Sequence, residues 1–228
     1  MKPLDHKQSA YLWLCGFFVA ALITADIIGG KLFRVFGHDL SAGMLAFPLT
    51  FLLTDIVNEF YGAKATRRLT FIGLASAIFA LGIIWIARVA PTSPESPLAA
   101  DEFDRVFGWS VRLYFASLSA YLVGQMLDIA IFTLLRNKTQ QRFLWLRATG
   151  STLASQWIDT LVVNFGLWSG SKSLGFILTI SRDSYLVKVL VAIGLTPLVY
   201  LLHAILSRAL HVPKTVGDDE HGPVDNNL

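Results

Sequence analysis

The sequence predicts an all-α fold: a polytopic membrane protein with six transmembrane helices and both termini on the cytoplasmic side. Three observations predict it. Hydrophobic residues make up 54% of the 228 positions and charged residues only 15%, with a mean hydropathy of +0.56. Soluble domains carry roughly 25% charge. The apolar residues fall into six stretches near the ~20 residues a helix needs to cross the hydrocarbon core. Lys and Arg collect in the short segments between them, as they do where a membrane protein marks its cytoplasmic side.

The first stretch runs from about Tyr11 to Gly30. It is long, carries Asp26 and lacks a small-residue cleavage site, so it reads as a retained helix rather than a signal peptide. The second runs from Ala42 to Tyr61 with Pro48 inside, and the third from Leu69 to Ala90. A loop containing Pro91, Pro94 and Pro97 follows, then acidic Asp101, Glu102 and Asp104, with Phe103, Val106, Phe107 and Trp109 available for an interfacial turn. The fourth stretch is Leu113 to Leu135, the fifth Leu144 to Trp168, and the sixth Tyr185 to Leu206 with Pro197 inside. Pro48 and Pro197 are expected to kink their spans. One transmembrane domain over 1–211 is expected, with a polar, acidic, disordered cytoplasmic tail over 212–228.

With the N-terminus inside, 11 basic residues fall on the cytoplasmic side and 8, including Lys31, Arg88 and Lys188, on the other. The bias is sharpest in the clusters Lys64/Arg67/Arg68 and Arg136/Lys138/Arg142. A net charge of +3 spread over such loops does not point to nucleic acid. The lone Cys15 excludes an intramolecular disulfide and offers no metal cluster. There is no phosphate loop, zinc-protease helix motif or nucleophile elbow. No cofactor and no metal are expected.

The informative residues are acids inside the apolar stretches. Asp26, Asp55, Asp128 and Asp159 would each cost about 2.5–3.5 kcal/mol at a bilayer centre. Such groups should face a shared interior. Residues three or four apart share a helix face, so Gln125 pairs with Asp128 and Gln156 with Asp159, while Asp55, Asn58 and Glu59 form a third cluster. Arg147, Ser151, Ser155 and Asp159 fall at steps of four, a polar stripe on the fifth span. With 1.5 Å rise per residue, Asp55 lies roughly 13 Å from Lys64, Asp128 roughly 12 Å from Arg136 and Asp159 roughly 18 Å from Arg147. Three carboxylates from three helices thus share one layer near the midplane, where transporters commonly hold cargo.

Plainer readings compete. A lone Gln or Ser in a membrane helix more often bridges helices than binds a ligand. Asp26 can pair with Lys31 near the surface, and Glu59 with Lys64 or Arg67. Arg147 is either a topology charge or a counter-ion for the acid layer, and His203 reads as packing. Gly150 and Ala154 are expected to allow close helix contact. An intramembrane aspartyl protease is disfavoured, because Leu127-Asp128 and Ile158-Asp159 lack the sequence contexts of such enzymes.

The run Leu53-Thr54-Asp55-Ile56-Val57-Asn58-Glu59-Phe60-Tyr61-Gly62, with Arg147-Ala148-Thr149-Gly150-Ser151-Thr152 and Gln156-x-x-Asp159-Thr160, resembles the bacterial queuosine precursor transporter family, within the vitamin-uptake-transporter group. The resemblance covers about Tyr11 to Leu210. It implies a six-helix inner-membrane importer of 7-cyano-7-deazaguanine, and of its 7-aminomethyl relative, for making the tRNA base queuosine. It also leaves open a binding subunit of a multi-component ATP-driven importer, which has a similar helix number, and homo-oligomer formation.

The residues suit such cargo. One carboxylate can accept both the ring N–H and the exocyclic amine of a deazaguanine, and Gln, Asn or Arg can donate to its carbonyl. Phe60, Tyr61 and Trp157 are available to sandwich the ring, and a second carboxylate to hold an aminomethyl cation. Asp55, Asn58, Glu59, Gln125, Asp128, Arg147, Gln156 and Asp159 are therefore the expected substrate-binding residues. The expected partners are a purine-like small molecule and the lipid bilayer.

Overall fold

The computed structural model describes residues 5–29, 31–35, 38–108, 111–140 and 142–209. The tail from 212 and Trp109 lie outside the described residues. The elements are α1 (His6–Ile28), a two-stranded antiparallel hairpin of β1 (Leu32–Val35) and β2 (His38–Ser41), a 3-10 turn (Ala42–Leu45), α2 (Phe47–Val89), α3 (Ala100–Phe107), α4 (Val111–Lys138), α5 (Leu144–Trp168) and α6 (Leu174–Ala209).

Among the described residues the elements are helical apart from that hairpin, and the surface is the reverse of a soluble one. Trp13, Phe17, Phe79, Trp85, Leu190 and Leu201 are exposed, while Asp55, Gln125, Asp128, Arg147 and Asp159 are buried. A helix that is apolar all round belongs in a core or in lipid. Among the described residues, four helical segments are long and apolar enough to cross a membrane: His6–Ile28, Ala42–Val89, Phe115–Lys138 and Leu174–Arg208. α5 is long enough at 25 residues, but Arg147, Ser151, Ser155, Gln156, Asp159, Thr160 and Asn164 face inward and dilute its apolar content.

Four sequence expectations are corrected. The second and third stretches are two helical arms, as expected, run together as α2; the second arm resumes directly after Gly62 rather than at Leu69, and the arms are separated by a kink at Gly62 with φ 78° and ψ 171°. That conformation is open essentially to glycine alone. The basic cluster Lys64, Arg67 and Arg68 is therefore on a helix rather than in a loop, with all three side chains exposed. Pro48 sits in the first turn of α2, where its missing N–H breaks no helical bond and no kink follows. The segment after Pro97 forms α3, whose Asp104 pairs with Arg88 of α2 at 2.8 Å. Finally, α6 begins at Leu174, eleven residues before the predicted start, and continues through Pro197.

Packing follows the small residues. Leu14, Phe18, Leu22 and Ala25 line the buried face of α1. A Cβ added at Gly73 of α2 would meet Phe18 Cε1 at 2.5 Å and the Tyr121 hydroxyl at 2.7 Å, so glycine lets α1, α2 and α4 close together. Tyr121 donates from that hydroxyl to the Thr70 carbonyl at 2.9 Å. α4 and α5 share the most extensive contact in the fold. Their close approach is at Gly166 against Ala116 and at Gly124 against Asp159, whereas Gly150 meets only Leu135 and Leu146 at ordinary distances. At one end, Tyr11 donates to the Ala65 carbonyl at 3.0 Å and Tyr61 to the Lys7 carbonyl at 2.8 Å. The start of α1 is thereby held beside the Gly62 break.

Candidate functional site

The interior is built from three polar faces. On the first arm of α2, Phe47, Phe51, Asp55 and Glu59 recur every four residues and so lie along one side. α4 contributes Gln125 and Asp128, and α5 the stripe Arg147, Ser151, Ser155 and Asp159, whose four members are all buried.

The Asp55 and Asp128 carboxyls stand beside each other, with Thr152 next to both. Ser155 donates to Asp128 Oδ1 at 3.1 Å, and Ser151 also reaches Asp128. Asp159 stands one helical turn from Ser155 and takes a different partner: the Lys188 ammonium of α6 donates to its Oδ2 at 2.6 Å. Gly124 makes that placement feasible, since a Cβ there would come within 3.2 Å of the Asp159 Cβ.

A cavity opens between the first arm of α2, α5 and α6. It holds about 570 Å³ of empty space including its mouth, and Phe47, Phe51, Asp55, Thr152, Gln156 and Lys188 lie on its wall. Phe47 and Phe51 meet edge to face at 5.6 Å, and the Lys188 ammonium lies 6.0 Å from the Phe47 ring centre. Asp55 Oδ1 and Gln156 Oε1 are buried without a hydrogen-bond partner among the described residues. Buried polar atoms are rarely left so, and both belong to residues that line the cavity. The wall therefore carries a cation, two aromatic rings and two residues, Asp55 and Gln156, that each hold an enclosed, unpartnered oxygen.

The eight sequence-predicted residues divide. Asp55 and Gln156 line the cavity, while Asp128 and Asp159 stand behind it, against Asp55 and Lys188. Glu59 and Arg147 engage each other. Arg147 donates from Nε to Oε2 at 2.9 Å and from Nη2 to Oε1 at 2.6 Å, with side-chain exposures of 3% for Arg147 and 7% for Glu59. Glu59 is thus the partner of Arg147, not of Lys64 or Arg67. Asn58 donates to the Ile129 carbonyl at 3.5 Å, and its own carbonyl accepts from Arg136 at 3.1 Å. Gln125 is fully buried, with neither amide atom partnered among the described residues, and it does not line the cavity.

Other expectations resolve elsewhere. Asp26 makes no ion pair with Lys31 among the described residues; it lines a separate crevice of about 340 Å³ with Ile23, Ala77, Ile84 and Phe107. His203 packs at a tilt against Phe60, ring centres 5.2 Å apart, and stands 4.0 Å from Glu59. The expected ring-sandwiching residues are otherwise engaged, Phe60 by His203, Tyr61 by Tyr11 and Trp157 by Tyr185. Phe47 and Phe51 are the aromatics on the cavity wall instead. Their spacing of eight and four residues before Asp55 was the available signal. Lys188 falls within the expected sixth stretch, Tyr185 to Leu206, yet was grouped with the outer basic residues because it lies near that stretch's start.

Residues 41–202, most of the chain, match the family model described as "Putative vitamin uptake transporter". The chain belongs to this family. It is 27% identical over 195 residues to the "Probable queuosine precursor transporter" of Bacillus subtilis (strain 168), covering 85% of this chain and 83% of that one. It is 28% identical over 160 residues to the "Queuosine precursor transporter" of Escherichia coli (strain K12), covering 70% and 69%. No solved structure matches it. The family is one of transporters rather than enzymes, and with its long apolar helices the chain is a multi-pass bacterial membrane protein.

Proposed function

We propose that the protein imports a queuosine precursor, 7-cyano-7-deazaguanine and its 7-aminomethyl relative, across the bacterial inner membrane, and that the cavity between α2, α5 and α6 is where the base binds. The observation that carries this reading is the pair of unpartnered acceptors, Asp55 Oδ1 and Gln156 Oε1, in residues on the wall of a cavity with two phenylalanines. A deazaguanine carries a ring N–H beside an exocyclic amine, which suits acceptors, and a flat ring, which suits Phe47 and Phe51. The names of the relatives point the same way. Asp128 and Asp159 act by holding Asp55 and the neighbouring cation in place. Arg147 and Glu59 close the cytoplasmic end, with Asn58 and Gln125 packed between helices.

In this reading the chain crosses the bilayer six times, with the two arms of α2 and the polar-faced α5 counted as spans and both termini cytoplasmic. Support comes from the end at which α1 starts. The Tyr61–Lys7 and Tyr11–Ala65 bonds bring that start to the Gly62 break, and Arg136 reaches the Asn58 carbonyl nearby. The basic residues Lys7, Lys64, Arg67, Arg68, Arg136 and Lys138 thus gather at one end.

Purified chain reconstituted alone in liposomes should take up labelled 7-cyano-7-deazaguanine. Uptake that required an added ATPase module would replace this reading with that of a binding subunit. Conversion of the base to a new compound in detergent would make the protein an enzyme.

A further inference from the structure

Lys188 is the charged residue that the acid layer did not anticipate. It lies 14 residues beyond the start of α6 and 21 before its end, deep within a helix long and apolar enough to cross the membrane. A lysine at such depth is costly by about 2.5–3.5 kcal/mol. Neutralising Asp159 does not by itself account for it, because a neutral pair of similar size would avoid both desolvation costs. The pair is also lopsided in its exposure: the Asp159 side chain is 4% exposed and the Lys188 side chain 21%. The acid is enclosed and the ammonium faces the cavity, whose wall it shares with Asp55 and Gln156. An ammonium carries three N–H donors, and the bond to Asp159 uses one.

Donor and acceptors on one wall form a pattern. Asp55 Oδ1 and Gln156 Oε1 want N–H groups, and Lys188 wants an oxygen. A guanine-type edge presents an exocyclic amine, a ring N–H and a carbonyl oxygen. An adenine-type edge presents a bare ring nitrogen and an amine, which would set a donor against the ammonium.

We propose that Lys188 reads the cargo, donating to the ring carbonyl of a 2-amino-oxo purine-like base while Asp55 and Gln156 accept from its N–H groups, with Asp159 as the residue that positions the ammonium. This rests on the cargo reading above. It assigns the carbonyl donor to a lysine on α6 and makes the site selective for the oxo edge over the amino edge.

The test measures binding of 7-cyano-7-deazaguanine and of its adenine-type counterpart, 7-cyano-7-deazaadenine, to the full chain in nanodiscs. The wild type is compared with K188M and with K188M/D159N, in which no unpaired charge remains. The wild type should prefer the oxo base, and absence of a preference overturns the proposal without any variant. Loss of one charge-assisted hydrogen bond should weaken oxo-base binding by about tenfold or more. The amino base should bind about as it does to the wild type, so the preference collapses. If K188M/D159N binds the oxo base as the wild type does, Lys188 only neutralises Asp159 and the proposal fails alone. If the wild type binds neither base, the cargo reading fails and takes this inference with it.

Discussion

Replacing Glu59 with glutamine removes the charge opposite Arg147 while keeping the side chain's size. In the folded protein the Arg147 guanidinium is 3% exposed and is held by two hydrogen bonds from Nε and Nη2 to the two Glu59 oxygens. The glutamine can accept only one of these, and the cation stays buried without its counter-ion. Breaking a buried pair from one side costs about 3–5 kcal/mol. A protein of this length loses roughly 2–4 °C of melting temperature per kcal/mol, so Glu59→Gln should melt roughly 6–20 °C below the wild type. The assay is thermal unfolding of purified protein in one detergent, followed by size-exclusion fluorescence. The discriminating arm is Glu59→Leu combined with Arg147→Met, which removes both charges and their desolvation costs together. That double variant should melt above Glu59→Gln. A fall of less than about 2 °C for Glu59→Gln, or a double variant no better than the single, would refute the buried-pair account.

Three further outcomes follow from other contacts. Asp128→Asn should still insert but lose most uptake, because it changes the carboxyl that touches Asp55, Ser151 and Ser155; normal uptake would make the contact structural only. Gly62→Ala should destabilise by about 1–3 kcal/mol through backbone strain, read as a lowered melting temperature. An added Cβ there meets nothing within 4 Å, so no clash confuses the result, and an unchanged melting temperature would rule out the strained break. With Cys15 replaced by alanine, single cysteines at Lys64 and Lys138 should react with a membrane-impermeant thiol reagent only after the cells are opened; labelling of intact cells would invert the topology.

The acids were legible because a charge in an apolar run is conspicuous whatever the fold does around it. The stripe Arg147, Ser151, Ser155 and Asp159 was legible because helical spacing alone puts it on one side, and all four side chains are buried. Which acid meets which partner was not legible. Asp55 and Asp128 stand on different helices, as do Asp159 and Lys188, and helical spacing says nothing of how separate helices turn toward one another. The true start of α6 was hidden as well, by a polar patch at Ser181, Arg182 and Asp183. Backbone hydrogen bonds carry a helix through such a patch, whereas a count of apolar residues stops there. Gly62 was similarly opaque. Its flanks read as two spans with basic residues between, but helix resumes at once on the far side of a single glycine. The aromatic wall was missed for want of a depth. Phe60 and Tyr61 are nearer to the motif in sequence, yet a helix turns them away from Asp55, and Phe51, one turn earlier, shares its side.

The seven polar residues that α5 turns inward also bear on how the protein is made. A segment of that composition has little reason to leave the translocon for lipid by itself. Its neighbour α4, joined through residues 139–143, supplies Asp128 for Ser155 and the glycine that seats Asp159. The two should enter the bilayer as a preassembled hairpin during synthesis. A glycosylation-mapping reporter carrying α5 alone should remain largely uninserted, and one carrying α4 and α5 together should integrate.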